Sequence, residues 1–75
     1  MKRVIYHVVW RDERWHVRRA RARRATRTFA RKGDATFAAV FLSTRYDRSE
    51  VIIHGKNGKI QREWTYGDDP RTTPG

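Results

Sequence analysis

Residues 50–66, EVIIHGKNGKIQREWTY, contain the clearest local structure in the sequence and decide the fold. Two runs rich in Val, Ile, Trp and Tyr, the residue types that favour strands, flank the pair Asn57-Gly58. Asn-Gly is the preferred pair for a two-residue type I′ turn between antiparallel strands. The stretch is therefore predicted to form a β-hairpin whose register follows from this turn.

The register of the predicted hairpin assigns each residue to one face of the sheet. The turn would place Lys56 opposite Lys59 and would continue the pairing as far as Val51 opposite Trp64. The pairs in between are Gly55 with Ile60, His54 with Gln61, Ile53 with Arg62, and Ile52 with Glu63. Because side chains alternate between the faces of a strand, one face is predicted to be core and the other solvent. The core face carries Val51, Ile53, Ile60 and Trp64, and the solvent face carries His54, Gln61 and Glu63.

The sequence before the helix predicts a second hairpin. Residues 3–10 are rich in Val, Ile, Tyr and Trp, and we expect a central strand with apolar groups on both faces. The charged residues 11–14 would turn into a second strand over residues 15–19. Residues 20–24 suit a helix by propensity, because they contain only Ala and Arg. The β-branched residues and alternation of residues 25–29 favour a basic loop followed by a short third strand, which is the preferred interpretation.

Residues 33–46 are the best helix candidate. A stripe at helical spacing would face the sheet, and Asp34 lies at the positive end of the helix dipole. Phe37, Val40 and Phe41 form a second apolar group on the opposite side, which a helix that covers a single sheet does not need. We therefore predict that these three residues are the interface of a homodimer. In the rival interpretation, residues 18–29 fold over them within one chain. The stripe that would face the sheet consists of Ala35, Ala38, Ala39, Leu42 and Tyr46.

The predicted fold class is α+β, with one helix packed on a small antiparallel sheet of four or five strands in ββ(β)αββ order. A single domain is expected over residues 1–66. Residues 67–75, GDDPRTTPG, are predicted to be a flexible tail. A chain of 75 residues buries only about 60% of its unfolded surface. Oligomerisation is one usual way to stabilise so small a domain.

Charge gives the main indication of function. The chain has 18 Lys and Arg, 8 Asp and Glu, and a net charge of +10. Residues 18–32, RRARARRATRTFARK, contain no carboxylate, and such a cluster attracts polyanions. We predict nucleic-acid binding through backbone phosphates, with DNA favoured over RNA. The alternative is that the arginines only form a solvated face. The candidate contacts are Arg18, Arg19, Arg21, Arg23, Arg24, Arg27, Arg31 and Lys32, with Lys56 and Lys59 at the hairpin tip.

Aromatic side chains offer a further way to contact nucleic acid. Tyr6, Trp10 and Trp15 could stack on unpaired bases if they lay on an open sheet. Packing in the core is the stronger expectation for them in so small a domain. We therefore favour contacts with a duplex backbone over stacking on single strands.

The sequence contains no recognisable catalytic or cofactor motif. Cys is absent, which excludes disulfides and thiolate metal sites. His7, His16 and His54 lack the spacing of metal ligands along the chain, and a glycine-rich phosphate loop is absent. We expect no enzyme activity, no cofactor, no metal and no small-molecule substrate. Apolar runs stay well short of the roughly 18 residues of a membrane span, so we expect a cytoplasmic protein without a membrane partner.

The closing hairpin resembles a known family. His54-Gly55, Gly58, Ile60 and Glu63, followed by YGDDP over residues 66–70, are similar to an uncharacterised family of small bacterial and phage proteins of unknown function. The resemblance implies the ββ(β)αββ order and implies no activity.

Two features depart from the usual pattern of that family. Its members usually have polar residues where this chain has Val40 and Phe41, and they have a less basic segment before the helix. The apolar helix face gives a second hypothesis of function, because exposed apolar patches mark interfaces. In this hypothesis the chain is a phage or bacterial protein-interaction module that docks on a bacterial partner protein through Phe37, Val40 and Phe41. A basic domain can equally attract an acidic protein surface.

Overall fold

Five strands and one helix make up the part of the chain that the computed structural model describes, residues 3–67. The α+β class with a single helix is confirmed. Of the predicted tail, all but Gly67 lies outside the described residues. Across the sheet the strands follow the order β3-β2-β1-β4-β5, which differs from their order along the chain. The elements are β1 (Val4–Arg11), β2 (Arg14–Arg19), β3 (Arg27–Phe29), α1 (Lys32–Ser43), β4 (Ser49–His54) and β5 (Ile60–Tyr66).

The sheet is mixed, so the prediction of a purely antiparallel sheet is wrong. The neighbours β1 and β4 are parallel, while the other three pairs of strands are antiparallel. Two reversals give β3 the direction of β1, and α1 then carries the chain back over one face of the sheet. The following strand β4 can therefore start at the same end as β1 and pair with it in parallel. Parallel neighbours require a long crossover of this kind, which is usually helical.

The core lies between α1 and one face of the sheet. Val8, Val17 and Val51 are fully buried on that face. Ala35 and Ala39 are also fully buried, which confirms their predicted position on the stripe that faces the sheet. Small side chains on this stripe allow the helix to lie close to the strands. Tyr6, Trp15 and Ile53 complete the buried apolar set.

The outer face of α1 is smaller than predicted. Phe37 is 74% exposed and Phe41 is 60% exposed. Val40 is half-buried and packs against the core, so its assignment to the outer face is wrong. Val40 follows the buried Ala39 directly and lies at the border between the two faces. The rival interpretation, in which residues 18–29 cover the helix, is also wrong because residues 27–29 form an edge strand of the sheet.

The hairpin between β4 and β5 has a different turn from the predicted one. The Gly58 N–H donates to the Gly55 carbonyl at 2.9 Å, and the Gly55 N–H donates to the Lys59 carbonyl at 2.8 Å. Gly58 has a φ of 85°, whereas Asn57 is not among the residues with positive φ. A type I′ turn needs positive φ at both central residues. The connection is instead a three-residue loop that ends in a left-handed glycine, a common hairpin loop.

The longer loop shifts the register at one point. The predicted pairs Val51–Trp64, Ile52–Glu63 and Ile53–Arg62 are confirmed. His54 pairs with Ile60 and not with Gln61, because a bulge interrupts the ladder between Ile53 and His54. The shift removes Ile60 from the core face, and its side chain is 54% exposed.

Candidate nucleic-acid interface

The face of the sheet opposite α1 is not covered by another element within residues 3–67. We call this surface the open face. Strand alternation places all three histidines of the chain on it, together with Arg18. The open face also carries Ile5 and Val9 of β1 and Glu50 and Ile52 of β4.

The basic residues predicted to bind nucleic acid do not form one surface. Arg18 and Arg19 are neighbours on β2 and therefore point to opposite faces of the sheet. The guanidinium of Arg19 lies 5.4 Å from the centre of the Tyr46 ring. Arg27 lies beside Phe37 and Phe41 near the helix.

The cations at the start of α1 and at the hairpin tip are also separate from the open face. Arg31 is the N-cap residue of the helix. Lys32 donates to the Gln61 side chain and lies 5.3 Å from the centre of the Trp15 ring, on the helix side of the sheet. Lys56 lies 4.4 Å from the centre of the Trp10 ring, and Lys59 is exposed on the loop.

The remaining arginines meet at the edge of the open face. Arg18 donates from one terminal nitrogen to the carbonyls of Ala22, at 2.9 Å, and Arg23, at 3.2 Å. Both bonds tether the loop after β2 to the strand, while Arg23 and Arg24 remain exposed. A shallow groove of about 300 Å³ results, which we call the Arg groove, and Asp12 is the one carboxylate that residues 3–67 contribute to it. Its lining consists of Arg11, Asp12, His16, Arg18, Arg23, Arg24, Ala25 and Thr28.

His7 and His54 form a hydrogen-bonded pair next to this groove. His7 Nδ1 lies 3.0 Å from His54 Nε2, and His54 Nδ1 lies 3.1 Å from the Gly58 carbonyl oxygen. A carbonyl can only accept, so Nδ1 of His54 carries its hydrogen. In the neutral pair, Nε2 of His54 then accepts and Nδ1 of His7 donates. His7 Nε2 is left as an acceptor without a partner among the hydrogen bonds of residues 3–67.

The histidine pair borders a second shallow cavity, which we call the histidine pocket. Its volume is about 330 Å³, and Arg18, Arg21 and the two histidines contribute to its lining. Burial lowers the pKa of His7, and the electrostatic influence of His54 and of the charged Arg18 lowers it further, while Glu50 opposes this effect. Arg18 also lines the Arg groove, so the two depressions share this side chain.

Of the aromatic residues that could stack on bases, Tyr6, Trp10 and Trp15, most are not accessible to a ligand. Tyr6 is 4% exposed and Trp15 is 5% exposed, both on the helix side of the sheet. These values confirm the expectation that they pack in the core. Trp10 contacts Trp15, with ring centres 5.1 Å apart.

Metal binding finds no support in the part of the chain that the structure describes. No group of three or more His, Asp or Glu side chains in residues 3–67 could hold a metal ion. The 12-residue helix α1 is also too short to cross a membrane.

The fold and the surface together define a small α+β domain with one sheet face against a helix and one Arg-bordered face that no other element of residues 3–67 covers. A family of uncharacterized proteins conserved in bacteria (DUF2188) matches residues 6–66. The chain belongs to this family, which confirms the predicted resemblance to an uncharacterised bacterial family. No curated protein and no solved structure matches the chain.

Proposed function

We propose that the protein binds nucleic acid through the sugar-phosphate backbone, with the Arg groove as the main contact surface. The supporting observation is the convergence of Arg11, Arg18, Arg23 and Arg24 on one groove, to which residues 3–67 contribute a single carboxylate. Guanidinium groups present a planar fork of donors that matches phosphate oxygens. A nucleic-acid ligand is also consistent with the expected cytoplasmic location.

The geometry of the loop favours binding by a surface formed in advance. Arg18 is tethered by its bonds to the Ala22 and Arg23 carbonyls. The loop that carries Arg23 and Arg24 is therefore partly ordered before a ligand arrives. Groups that are already ordered lose less conformational entropy on binding, which improves affinity.

Backbone recognition of a duplex fits the open face better than recognition of unpaired bases. Single-strand binding usually relies on aromatic side chains on which bases stack. Among residues 3–67, the sheet pairing places no Phe, Tyr or Trp on the open face. We therefore propose duplex DNA as the first ligand to test, bound without strong sequence preference.

Salt-dependent binding of random-sequence duplex DNA tests the proposal, with single-stranded DNA and RNA of the same length as comparisons. We expect the double variant Arg23→Gln/Arg24→Gln to bind about tenfold or more weakly than the parent. Its slope of log K against log salt should be shallower by about two, since each phosphate contact contributes roughly 0.9.

The matched control for this experiment removes the same charge elsewhere. Arg48 and Arg62 are exposed and lie outside both the Arg groove and the histidine pocket. Arg48→Gln/Arg62→Gln should therefore keep most of the affinity. Equal losses in the two double variants would assign binding to net charge alone and remove the groove from the site.

We also propose that the exposed outer face of α1 is covered by a second copy of this chain. Phe37 and Phe41 project from the helix with little cover. Asp34 lies on the same helical stripe as Phe37 and Phe41, at the start of α1. Arg45 lies just beyond the other end of the helix, with its N–H bonded to the Leu42 carbonyl. Such a patch is complementary to itself in charge when two helices pair antiparallel. The rival occupant is a different partner protein.

A further inference from the structure

We propose that the histidine pocket is a phosphate subsite, in which a phosphate group binds together with one proton that the histidine pair takes up. This inference rests on the proposed function and identifies a specific contact within it. The chemical class of the ligand is a phosphate ester, either an internal phosphodiester of the duplex or a terminal phosphate. Residues 3–67 contribute no Asp or Glu to the lining, which consists of His7, Val9, Arg18, Arg19, Ala20, Arg21, Ala22 and His54.

The hydrogen bonds leave one ring nitrogen of the pair for a ligand. Both nitrogens of His54 are engaged, with Gly58 and His7, and Nδ1 of His7 is engaged with His54. In residues 3–67, no buried side-chain nitrogen or oxygen lacks a partner. The unpartnered Nε2 of His7 must therefore be open to solvent, and a phosphate oxygen can reach it as water does.

A single proton changes what this nitrogen offers to an anion. In the neutral pair, Nε2 of His7 presents a lone pair, which repels a phosphate oxygen. Protonation at Nε2 converts it into a charged N–H donor and leaves the other hydrogen bonds of the pair as they are. A second proton would place two N–H groups against each other between His7 and His54. The pair therefore holds one additional proton and not two.

The groups around His7 explain why proton uptake needs the anion. Arg18 and Arg21 line the pocket with the pair, and Glu50 on β4 is the acidic group that acts on His7. Glu50 also faces Arg3, with 3.6 Å between the charged atoms. In the free protein the nearby cations disfavour a further positive charge on His7. A bound phosphate supplies the opposite charge and favours the protonated form.

Linkage converts this arrangement into a measurable dependence of affinity on pH. Each complex takes up one proton, so affinity should increase by up to tenfold per pH unit as the pH falls through the window set by the bound and free pKa of His7. A phosphodiester does not titrate near neutral pH, so the dependence comes from the protein.

The experiment measures binding of a labelled duplex with 5′-hydroxyl ends, at constant ionic strength, from about pH 8 to about pH 5.5, where histidine titrates. We expect affinity to increase by about tenfold for the parent and for Arg48→Gln/Arg62→Gln. For His7→Gln the increase should be less than about threefold. The same increase in folded His7→Gln as in the parent would overturn the subsite.

A second arm identifies the source of the phosphate. If a duplex with 5′-phosphate ends shows the increase and the 5′-hydroxyl duplex does not, the subsite takes a terminal phosphate. An increase with both duplexes assigns it to an internal phosphodiester. Absence of the increase with both, in the parent, would overturn the subsite.

Titration with inorganic phosphate, followed by the imidazole NMR signals of His7 and His54, separates failure of the subsite from failure of the proposed function. One outcome is that phosphate shifts both signals, that Arg21→Gln reduces these shifts, and that no duplex binding is observed at any pH. This outcome would support the subsite and reject nucleic acid as the ligand. Salt-dependent duplex binding without these shifts would retain the proposed function and reject the subsite.

Discussion

His7 links the stability of the protein to pH. Burial lowers the pKa of His7 in the folded state, whereas in the unfolded chain the pKa returns to about 6.5. Between the two values the unfolded state binds more protons, so the free energy of unfolding decreases as the pH falls below about 6.5. Its contribution is fully present above that pH.

We therefore expect the urea midpoint of the parent to decrease between about pH 7.5 and about pH 5.5, in the range in which histidine titrates. His7→Gln should show a smaller decrease over the same interval, because Gln does not titrate. Inorganic phosphate should reduce the decrease in the parent if it binds at the histidine pocket. Parallel curves for the parent and His7→Gln would show that His7 does not determine this dependence.

Gly58 is predicted to be essential for the stability of the hairpin. Its φ of 85° lies in the left-handed region, and a Cβ atom built there has no neighbour within 4 Å. A side chain would therefore cause backbone strain and no clash. We expect Gly58→Val to lower the free energy of unfolding by about 1–2 kcal/mol, the cost of the left-handed region for an L-residue.

Gly33 provides the matched control for Gly58. It lies in the helix, and its Cβ position is equally open. Gly33→Ala should raise the free energy of unfolding by roughly 0.5–1 kcal/mol, since Gly is a poor helix former. Thermal or urea unfolding of both variants checks the pair of expectations. A Gly58→Val variant as stable as the parent would contradict the left-handed turn.

At the level of elements, the sequence predicts the hairpins better than their turns. Asn57-Gly58 is compatible with a two-residue loop and with a three-residue loop in which only the glycine is left-handed. The composition of the turn cannot distinguish these two loops. The length of the loop decides whether His54 pairs with Gln61, as predicted, or with Ile60, as observed. Conversely, Asp12 and Glu13 both have positive φ, 53° and 60°. Pairing of the strands around them, including Trp10 with Trp15, imposes a conformation that their own preferences do not predict.

The candidate site was predictable only as a list of basic residues. Strand alternation separates Arg18 from Arg19, and this separation depends on knowing which residues belong to β2. The histidine pair was not predictable, because it requires β1 and β4 to be neighbours. That adjacency follows from the helical crossover, and the expectation of an antiparallel sheet did not include it. His7 and His54 are 47 positions apart in the chain, so local sequence contains no signal for their contact.

At the scale of the whole molecule, the proposed dimer would bury the apolar face of the helix although each chain has a net charge of +10. Each sheet separates its own helix from its own open face. Pairing through the helices therefore places the two open faces on opposite sides of the particle, which limits the repulsion between them. Full burial of a Phe side chain contributes about 1.5–3 kcal/mol of favourable free energy. Burial of Phe37 and Phe41 from both copies would therefore favour dimerisation substantially.

Sedimentation equilibrium tests whether a second copy covers the helix. We expect the parent to dimerise and Phe37→Lys/Phe41→Lys to remain monomeric, with unchanged circular dichroism because both rings lie outside the core. A parent that stays monomeric at high concentration would reject the dimer and favour a different partner protein. A dimer that survives the double change would place the interface elsewhere.

Charge exchange tests the antiparallel arrangement of the two helices. Asp34 is exposed and forms no ion pair among residues 3–67, and Arg45 follows the end of α1 with its N–H bonded to the Leu42 carbonyl. A two-fold axis across the Phe residues makes each Asp34 face the partner's Arg45, since a two-fold interface pairs the same patch with itself. Asp34→Arg and Arg45→Asp should each weaken the dimer about threefold to tenfold, because like charges then meet. The double variant restores opposite charges at both contacts and should recover most of the affinity, whereas additive losses would contradict this pairing.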